Sequence, residues 1–362
     1  MTTAESVTAL TRHLLAFDTV NPPGQEAASM RFCASALEKA GFACRLIDHG
    51  ADRAGLVATR GDRPGLCFSG HLDTVPLGQA RWSHPPLGGE IVGNRLYGRG
   101  SSDMKGGVAA FIAAAQQTTA PASVILTSGE ETGCEGARWL AEAKAMPPAR
   151  GMIVGESTDN QPVAGHKGAL WLELVTEGVT AHGATPELGR NAIAAMAPTL
   201  ARLAHWQPAH AHPDMGRATC NIGTIRAGIN TNSVPDLCRL GLDLRSVTGL
   251  GHDRLRQEVR AQCDAGVGIE TLLDLPAIWT DPSDPWFASA CALVLQHTEH
   301  RELRASVNYF TDASVLQPAM QVPVMILGPG QVDQPHVTDE YVRVSRLVEA
   351  VALYTALIEV PG

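Results

Sequence analysis

The sequence predicts an α/β protein in which a mixed, mainly parallel sheet is interrupted by a small βαββαβ domain. Three observations predict it. Short apolar runs at 66–69, 124–127 and 152–154 alternate with helical stretches, as strands covered on both faces require. From about 166 to 276 the pattern changes to strand, helix, strand, strand, helix, strand, a split βαβ unit. After Trp279 the first pattern returns. A chain of 362 residues also exceeds one comfortable hydrophobic core. Two domains are therefore expected, a discontinuous one of residues 1–165 and 277–362 and an inserted one of 166–276.

The elements follow in order. Residues 3–17 carry Val7, Leu10, Leu14 and Phe17 on one helical stripe. Asn21-Pro22-Pro23-Gly24 breaks the chain, and a second helix, 25–40, is stopped by Gly41. Strands at 43–47 and 56–59 lead into the three apolar runs. In the inserted domain 169–177 reads as a strand and 189–206 as a helix, with Ile193, Met196, Leu200 and Leu203 on one face. Strands at 218–226 and 234–245, a helix at 252–263 and a strand at 267–275 complete it. Beyond lie a helix at 285–295, a strand at 322–327 and a closing helix at 345–358.

Composition narrows the function. A formal net charge of −9 without a run of Lys and Arg argues against a nucleic-acid partner, which needs a basic face. The most apolar stretch, 108–115, is too short to cross a bilayer. Met1-Thr2-Thr3-Ala4-Glu5 lacks a positive segment followed by an apolar one, so no signal peptide is expected. The eight cysteines form no Cys-x-x-Cys pair and several fall on apolar faces, as free thiols in a reducing cytoplasm would.

Acidic residues and histidines stand where the apolar runs give way to loops. Gly70-His71-Leu72-Asp73-Thr74-Val75-Pro76 follows the first run. Gly98-Arg99-Gly100-Ser101-Ser102-Asp103-Met104-Lys105-Gly106-Gly107 opens an alanine-rich helix. Gly129-Glu130-Glu131-Thr132-Gly133 and Gly155-Glu156 follow the other two runs. In an open α/β sheet the carboxyl ends of the strands define the ligand crevice, so segments far apart in sequence can converge there. Imidazole and carboxylate donors suit zinc, cobalt or manganese, where softer centres call for thiolates. Asp73 projects to the same side as His71 and suits the task of fixing its tautomer.

Each piece alone has a plainer reading. His71-Leu72-Asp73 would pass for a surface turn, Asp103 for a helix cap, Glu130-Glu131 for a solvated acidic turn, and His336 for an exposed loop histidine. The conjunction in this order carries the weight. With His336 followed by Asp339-Glu340-Tyr341, the motifs span nearly the whole chain and resemble the M20 metallopeptidase family. That family takes in acetylornithine deacetylase, succinyl-diaminopimelate desuccinylase, aminoacylases and glutamate carboxypeptidases.

The resemblance implies a zinc-peptidase-like catalytic domain and a ferredoxin-like inserted domain that serves as lid and dimerisation surface. It implies two divalent ions, zinc or alternatively cobalt or manganese. His71 and Glu156 would hold one, Glu131 and His336 the other, and Asp103 would bridge both. Glu130 is then the catalytic base, Asp73 the partner of His71, and the Asp103–Met104 peptide cis. Thr180-Ala181-His182-Gly183 matches a lid segment whose histidine serves the neighbouring subunit's site, where His182 would steady an oxyanion. Arg245 and Asn232 match residues that hold a substrate carboxylate, and the loop through Gly330 can bring backbone amides to the ligand.

The implied reaction is hydrolysis of the linear amide of an N-acyl amino acid, such as acetylornithine or succinyl-diaminopimelate, by a cytoplasmic homodimer. Glu130 would take a proton from water and return it to the leaving amine. A metallo-dipeptidase or glutamate carboxypeptidase acting on a short peptide is the alternative. A relative that only binds would lack a ligand or the base, and neither is missing. Ser157 after Glu156, where the deacylases commonly carry proline, departs from the pattern and leaves the subfamily open. His84, His205, His210 and His212 match no ligand position, and His166, near the domain crossing, is open to either reading.

Overall fold

A computed structural model describes residues 2–360. By internal contacts the chain divides into a large unit, Met1–Gly165, Trp279–Ala305 and Thr311–Gly362, and a small unit, His166–Ile278 with Ser306–Phe310.

The large unit is built on a six-stranded sheet in the order Ala43–Gly50, Arg53–Arg60, Ala122–Thr127, Gly65–His71, Ala149–Val154, Val324–Ile326. Strand Gly65–His71 lies parallel to both of its neighbours, and Val324–Ile326 joins Ala149–Val154 in the same sense. The first two strands run antiparallel, so the sheet is mixed. Gly65–His71 and Ala122–Thr127 are buried along their whole length, which explains why their sequences are continuous apolar runs rather than alternating ones. Helix Gly106–Ala115 is buried at all ten positions and accordingly has no polar face. Phe68 stacks on Phe111 at 4.4 Å, and both meet Tyr354 of the closing helix Val344–Glu359. Each of these rings contributes about 1.5–3 kcal/mol of burial. The core therefore sits directly behind the strand ends that carry the acids and histidines.

The small unit has a four-stranded antiparallel sheet in the order Thr219–Ala227, Leu237–Ser246, Gly168–Glu177, Gly268–Leu275. Helices Ala192–Leu203 and His252–Gln262 cover one face, where Leu170, Leu172, Leu174, Leu240, Leu242 and Leu244 pack with Met196 and Val259. Alternate residues of each strand therefore turn to the opposite face. The Asn191 side chain caps the first helix by accepting from the amides of Ile193 and Ala194. Residues 306–310 read from sequence as part of the large domain, yet Val307 accepts the Lys167 amide at 3.1 Å and Phe310 packs edge-on against Trp171.

His166, fully buried, donates from Nδ1 to its neighbour's carbonyl, Lys167 O, at 2.9 Å, while its Nε2 finds no partner among the described residues. Burial pushes the imidazole down from 6.5 to about 4. The unfolded chain binds a proton there before the folded chain does, so stability present above pH 6.5 is lost as pH falls towards 4. The full loss is about 3 kcal/mol. Denaturant unfolding at successive pH values should show this slope in the wild type and a flatter one in His166→Gln. Equal slopes would assign the acid sensitivity to another group.

No helix among the described residues is long and apolar enough to cross a membrane.

Candidate metal centre

The seven acids and histidines read from the motifs of the large unit converge at the carboxyl ends of its parallel strands. His71 ends Gly65–His71, Glu130 and Glu131 follow Ala122–Thr127, and Glu156 follows Ala149–Val154. His336 comes from the loop after Val324–Ile326. Asp103 lies in the turn that enters helix Gly106–Ala115, and its peptide bond to Met104 is cis, as the resemblance implies. Gly328 and Gly330 allow a close approach here. A Cβ at Gly328 would lie 2.3 Å from the Glu156 carbonyl, and one at Gly330 would lie 2.4 Å from both Ser102 O and Ser157 Oγ. Gly330 thus acts in this unit as a packing glycine against the Asp103 turn.

The donor atoms form two triads that share Asp103. His71 Nε2 is 3.2 Å from Asp103 Oδ1 and 3.7 Å from Glu156 Oε1. His336 Nε2 is 3.5 Å from Asp103 Oδ2 and 3.1 Å from Glu131 Oε2. In each triad the ligand atoms lie within 4.8 Å of one another. One Asp103 oxygen faces each triad, the arrangement of a bridging carboxylate. His71 Nδ1 donates to the Asp73 backbone carbonyl at 3.0 Å and has the Asp73 Oδ1 at 3.5 Å. The main chain of Asp73 therefore shares the task the sequence assigned to its side chain, and Nε2 is left facing the acids.

The Asp73 carboxylate has a second role. It accepts the backbone amides of Glu130 and Glu131, each at 3.2 Å, and the Asn21 side-chain amide at 3.1 Å. Asn21 also donates to Thr132 Oγ1 at 3.0 Å. The Asn-Pro-Pro-Gly break thus holds the Glu130-Glu131 turn in place, a task the sequence did not suggest. Glu340 was visible as part of a motif but carried no role. It is fully buried and accepts from Arg99 Nη1, Gly100 N and Ser102 N, each at 2.8 Å, and from Asp103 N at 3.1 Å. One loop therefore supplies both His336 and the acid that fixes the backbone of Asp103.

Burial pushes the carboxyls of Glu130 and Glu156 well above the usual range, and neighbouring carboxylates add to it. Burial works against the Asp103 charge as well, but hydrogen bonds from His336 and His71 hold its carboxyl below that range. Hydrogen bonds to Asp103 and Glu131 push the His336 imidazole up to about 10. Five carboxylates gathered round two imidazoles, all but His336 largely buried, form a site short of positive charge. Nitrogen and oxygen donors without a thiolate suit zinc, cobalt or manganese, so the residues fit a pair of divalent ions.

The remaining candidates lie in the small unit. His182 and Asn232 are exposed on neighbouring segments, where Gly183 N donates to Asn232 O at 2.8 Å. His182 Nδ1 accepts from Ala184 N at 3.1 Å, which sets the tautomer with the proton on Nε2. Arg245 is paired with Asp243 at 2.9 Å.

The small unit also holds a Ser–His–Asp chain that sequence spacing did not reveal. Ser246 Oγ lies 2.7 Å from His252 Nε2, and His252 Nδ1 lies 2.6 Å from Asp274 Oδ1. Ser246 is fully buried, so no substrate carbonyl reaches it, and the chain ties helix to sheet. His84 pairs with Glu90 and stacks on Tyr97 at 3.8 Å. His212 accepts the amides of Asp214 and Met215. Both keep the structural role expected of them.

Comparison with known proteins points to one family. The model of peptidase family M20/M25/M40 matches residues 67–360. An acetylornithine deacetylase of Vibrio cholerae is 31% identical over 326 residues, covering 84% of each chain. An M20 family metallo-carboxypeptidase from Sulfolobus solfataricus superposes with a TM-score of 0.82 at 15% identity, covering 97% of this chain and 98% of that one. A dinuclear metal binding peptidase of the M20 family from Bacillus subtilis superposes with a TM-score of 0.73 at 15% identity, covering 98% of each chain. The two structures share the fold.

Proposed function

The chain belongs to peptidase family M20/M25/M40 and is a hydrolase of amide bonds, and from that premise we propose that it is a deacylase of N-acyl amino acids working with two divalent ions. The observation that carries this reading is Asp103, which turns one carboxylate oxygen to each of two donor triads. The likeness to acetylornithine deacetylase favours a deacylase. His71 and Glu156 would hold one ion, Glu131 and His336 the other, and Asp103 both. When bound, such ions polarise a carbonyl and lower the pKa of water.

The protein's own residues do the rest. Glu130, buried and anchored through its amide on Asp73, takes the proton of the attacking water at a carboxylate oxygen. It returns that proton to the leaving amine. Arg245, Asn232 and the amides of the Gly330 loop hold the substrate carboxylate. His182, with its proton on Nε2, donates to the oxyanion of the partner subunit's substrate in a homodimer formed by the small units. The eight free cysteines suit the reducing cytoplasm in which we place the enzyme.

Stripping metal with a chelator should abolish hydrolysis of N-acetyl amino acids. Zinc should restore it, with elemental analysis giving two ions per chain. Full activity in a metal-free preparation would overturn the assignment. The dimer has its own test. Inactive His182→Ala chains mixed with inactive Glu130→Ala chains should recover partial activity, because one site per heterodimer has both residues. No recovery after verified subunit exchange would place His182 outside the partner's site.

A further inference from the structure

We propose that the open face of the small unit's sheet selects the substrate's side chain and prefers an aromatic or bulky apolar one to a basic one. The proposal rests on the reading that Arg245 holds the substrate carboxylate. Trp171 and Asp243 stand opposite each other on adjacent strands, and Arg245 follows two residues on. Their neighbours Leu170, Leu172, Leu242 and Leu244 are buried under the helices, so the three share the other face. Trp171 Nε1 donates to Asp243 Oδ1 at 3.0 Å, and Arg245 Nε lies 2.9 Å from the same oxygen. The segment Ser306–Phe310 brings in a second ring. Phe310 meets Trp171 at 6.4 Å between centroids with the planes 72° apart, and the Arg245 guanidinium carbon lies 6.0 Å from the Phe310 centroid. All four side chains are partly exposed.

An arginine thus stands beside two rings set nearly at right angles. A carboxylate docked on Arg245 would leave the group on its α-carbon against those rings. An ammonium group there would meet poor company. Asp243 is already used by Arg245 and Trp171, while Glu173 and Glu270 are paired with Arg239. The Lys167 ammonium, whose pKa burial and the Arg245 charge push down, donates to Arg217 O at 2.8 Å. Asp243, Glu173 and Glu270 each already have a cationic partner, so none of the three is left free for an incoming ammonium group. Apolar contact is what the surface has left to offer.

The test compares N-acetylphenylalanine, N-acetylornithine and N-acetylalanine as substrates of the metal-loaded enzyme. Calorimetric binding of phenylalanine and ornithine, the corresponding products, provides a readout without turnover. N-acetylphenylalanine should exceed N-acetylornithine in kcat/KM by about tenfold or more, and phenylalanine should bind the more tightly. Phe310→Ala should lower kcat/KM for N-acetylphenylalanine about tenfold, mainly through KM, and leave N-acetylalanine nearly unchanged. Phe310→Tyr should keep the preference.

Equal losses on both substrates would mean a merely structural role for Phe310 and would overturn the proposal. A preference for the ornithine compounds would overturn it as well. If no N-acetyl amino acid is cleaved, the deacylase reading fails, and the binding measurement alone supports or overturns the side-chain preference.

Discussion

Glu130→Gln is expected to lower kcat by about 10²–10⁴-fold, the range for loss of a positioned proton carrier, while metal content stays at the wild-type level. Glutamine keeps the shape of the side chain and leaves the backbone bond to Asp73 Oδ1 in place. It cannot take a proton from water at neutral pH. Glu130 belongs to neither donor triad, whereas its neighbour Glu131 lies 3.1 Å from His336 in one of them. Glu131→Ala should therefore reduce metal occupancy along with activity. Kinetics and elemental analysis of the two variants separate the roles, and the reverse pattern would exchange base and ligand.

Glu340→Ala is expected to be the most damaging substitution for stability, although the residue touches no reacting atom. It would leave Arg99, itself 2% exposed, as a buried charge without its carboxylate. Breaking such a pair costs about 3–5 kcal/mol. The amides of Gly100, Ser102 and Asp103 would lose their acceptor in the same step. Thermal unfolding should show a large fall in midpoint, and the freed Asp103 turn should weaken metal binding. Glu340→Gln keeps a carbonyl oxygen for part of the network and should fall between alanine and wild type. A midpoint close to wild type for Glu340→Ala would mean that the Arg99 charge finds another partner.

Among the candidate metal donors, His71, Glu131 and Glu156 were legible because each stands at or just beyond the end of a short apolar run. A buried strand has no use for an acid, so an acid just beyond its end is a local signal that survives without knowledge of the fold. Glu340 and Asn21 gave no such signal, since their meaning lies in partners distant in sequence. Asn21 reaches Asp73, and Glu340 reaches the Gly98–Asp103 turn, only once the sheet has formed. In the small unit Leu237–Ser246 alternates buried and outward residues along its length, and that periodicity was readable in the sequence. Helices Glu135–Glu142 and Ala313–Met320 are too short to repeat a stripe convincingly. Strands Arg95–Tyr97 and Tyr341–Arg343 are shorter still and exist through their pairing with each other.

The return of residues 306–310 to the small unit makes the chain leave and rejoin the large unit twice. A growing polypeptide that has just passed Ile278 already contains every strand of the small sheet, but not Val307, which pairs with Lys167, nor Phe310, which packs on Trp171. The large unit waits at the same moment for strand Val324–Ile326 and helix Val344–Glu359. Neither unit is therefore complete on the ribosome long before the other. Cutting out residues 166–278 as a free-standing domain would likewise remove it from the aromatic ring that borders Arg245.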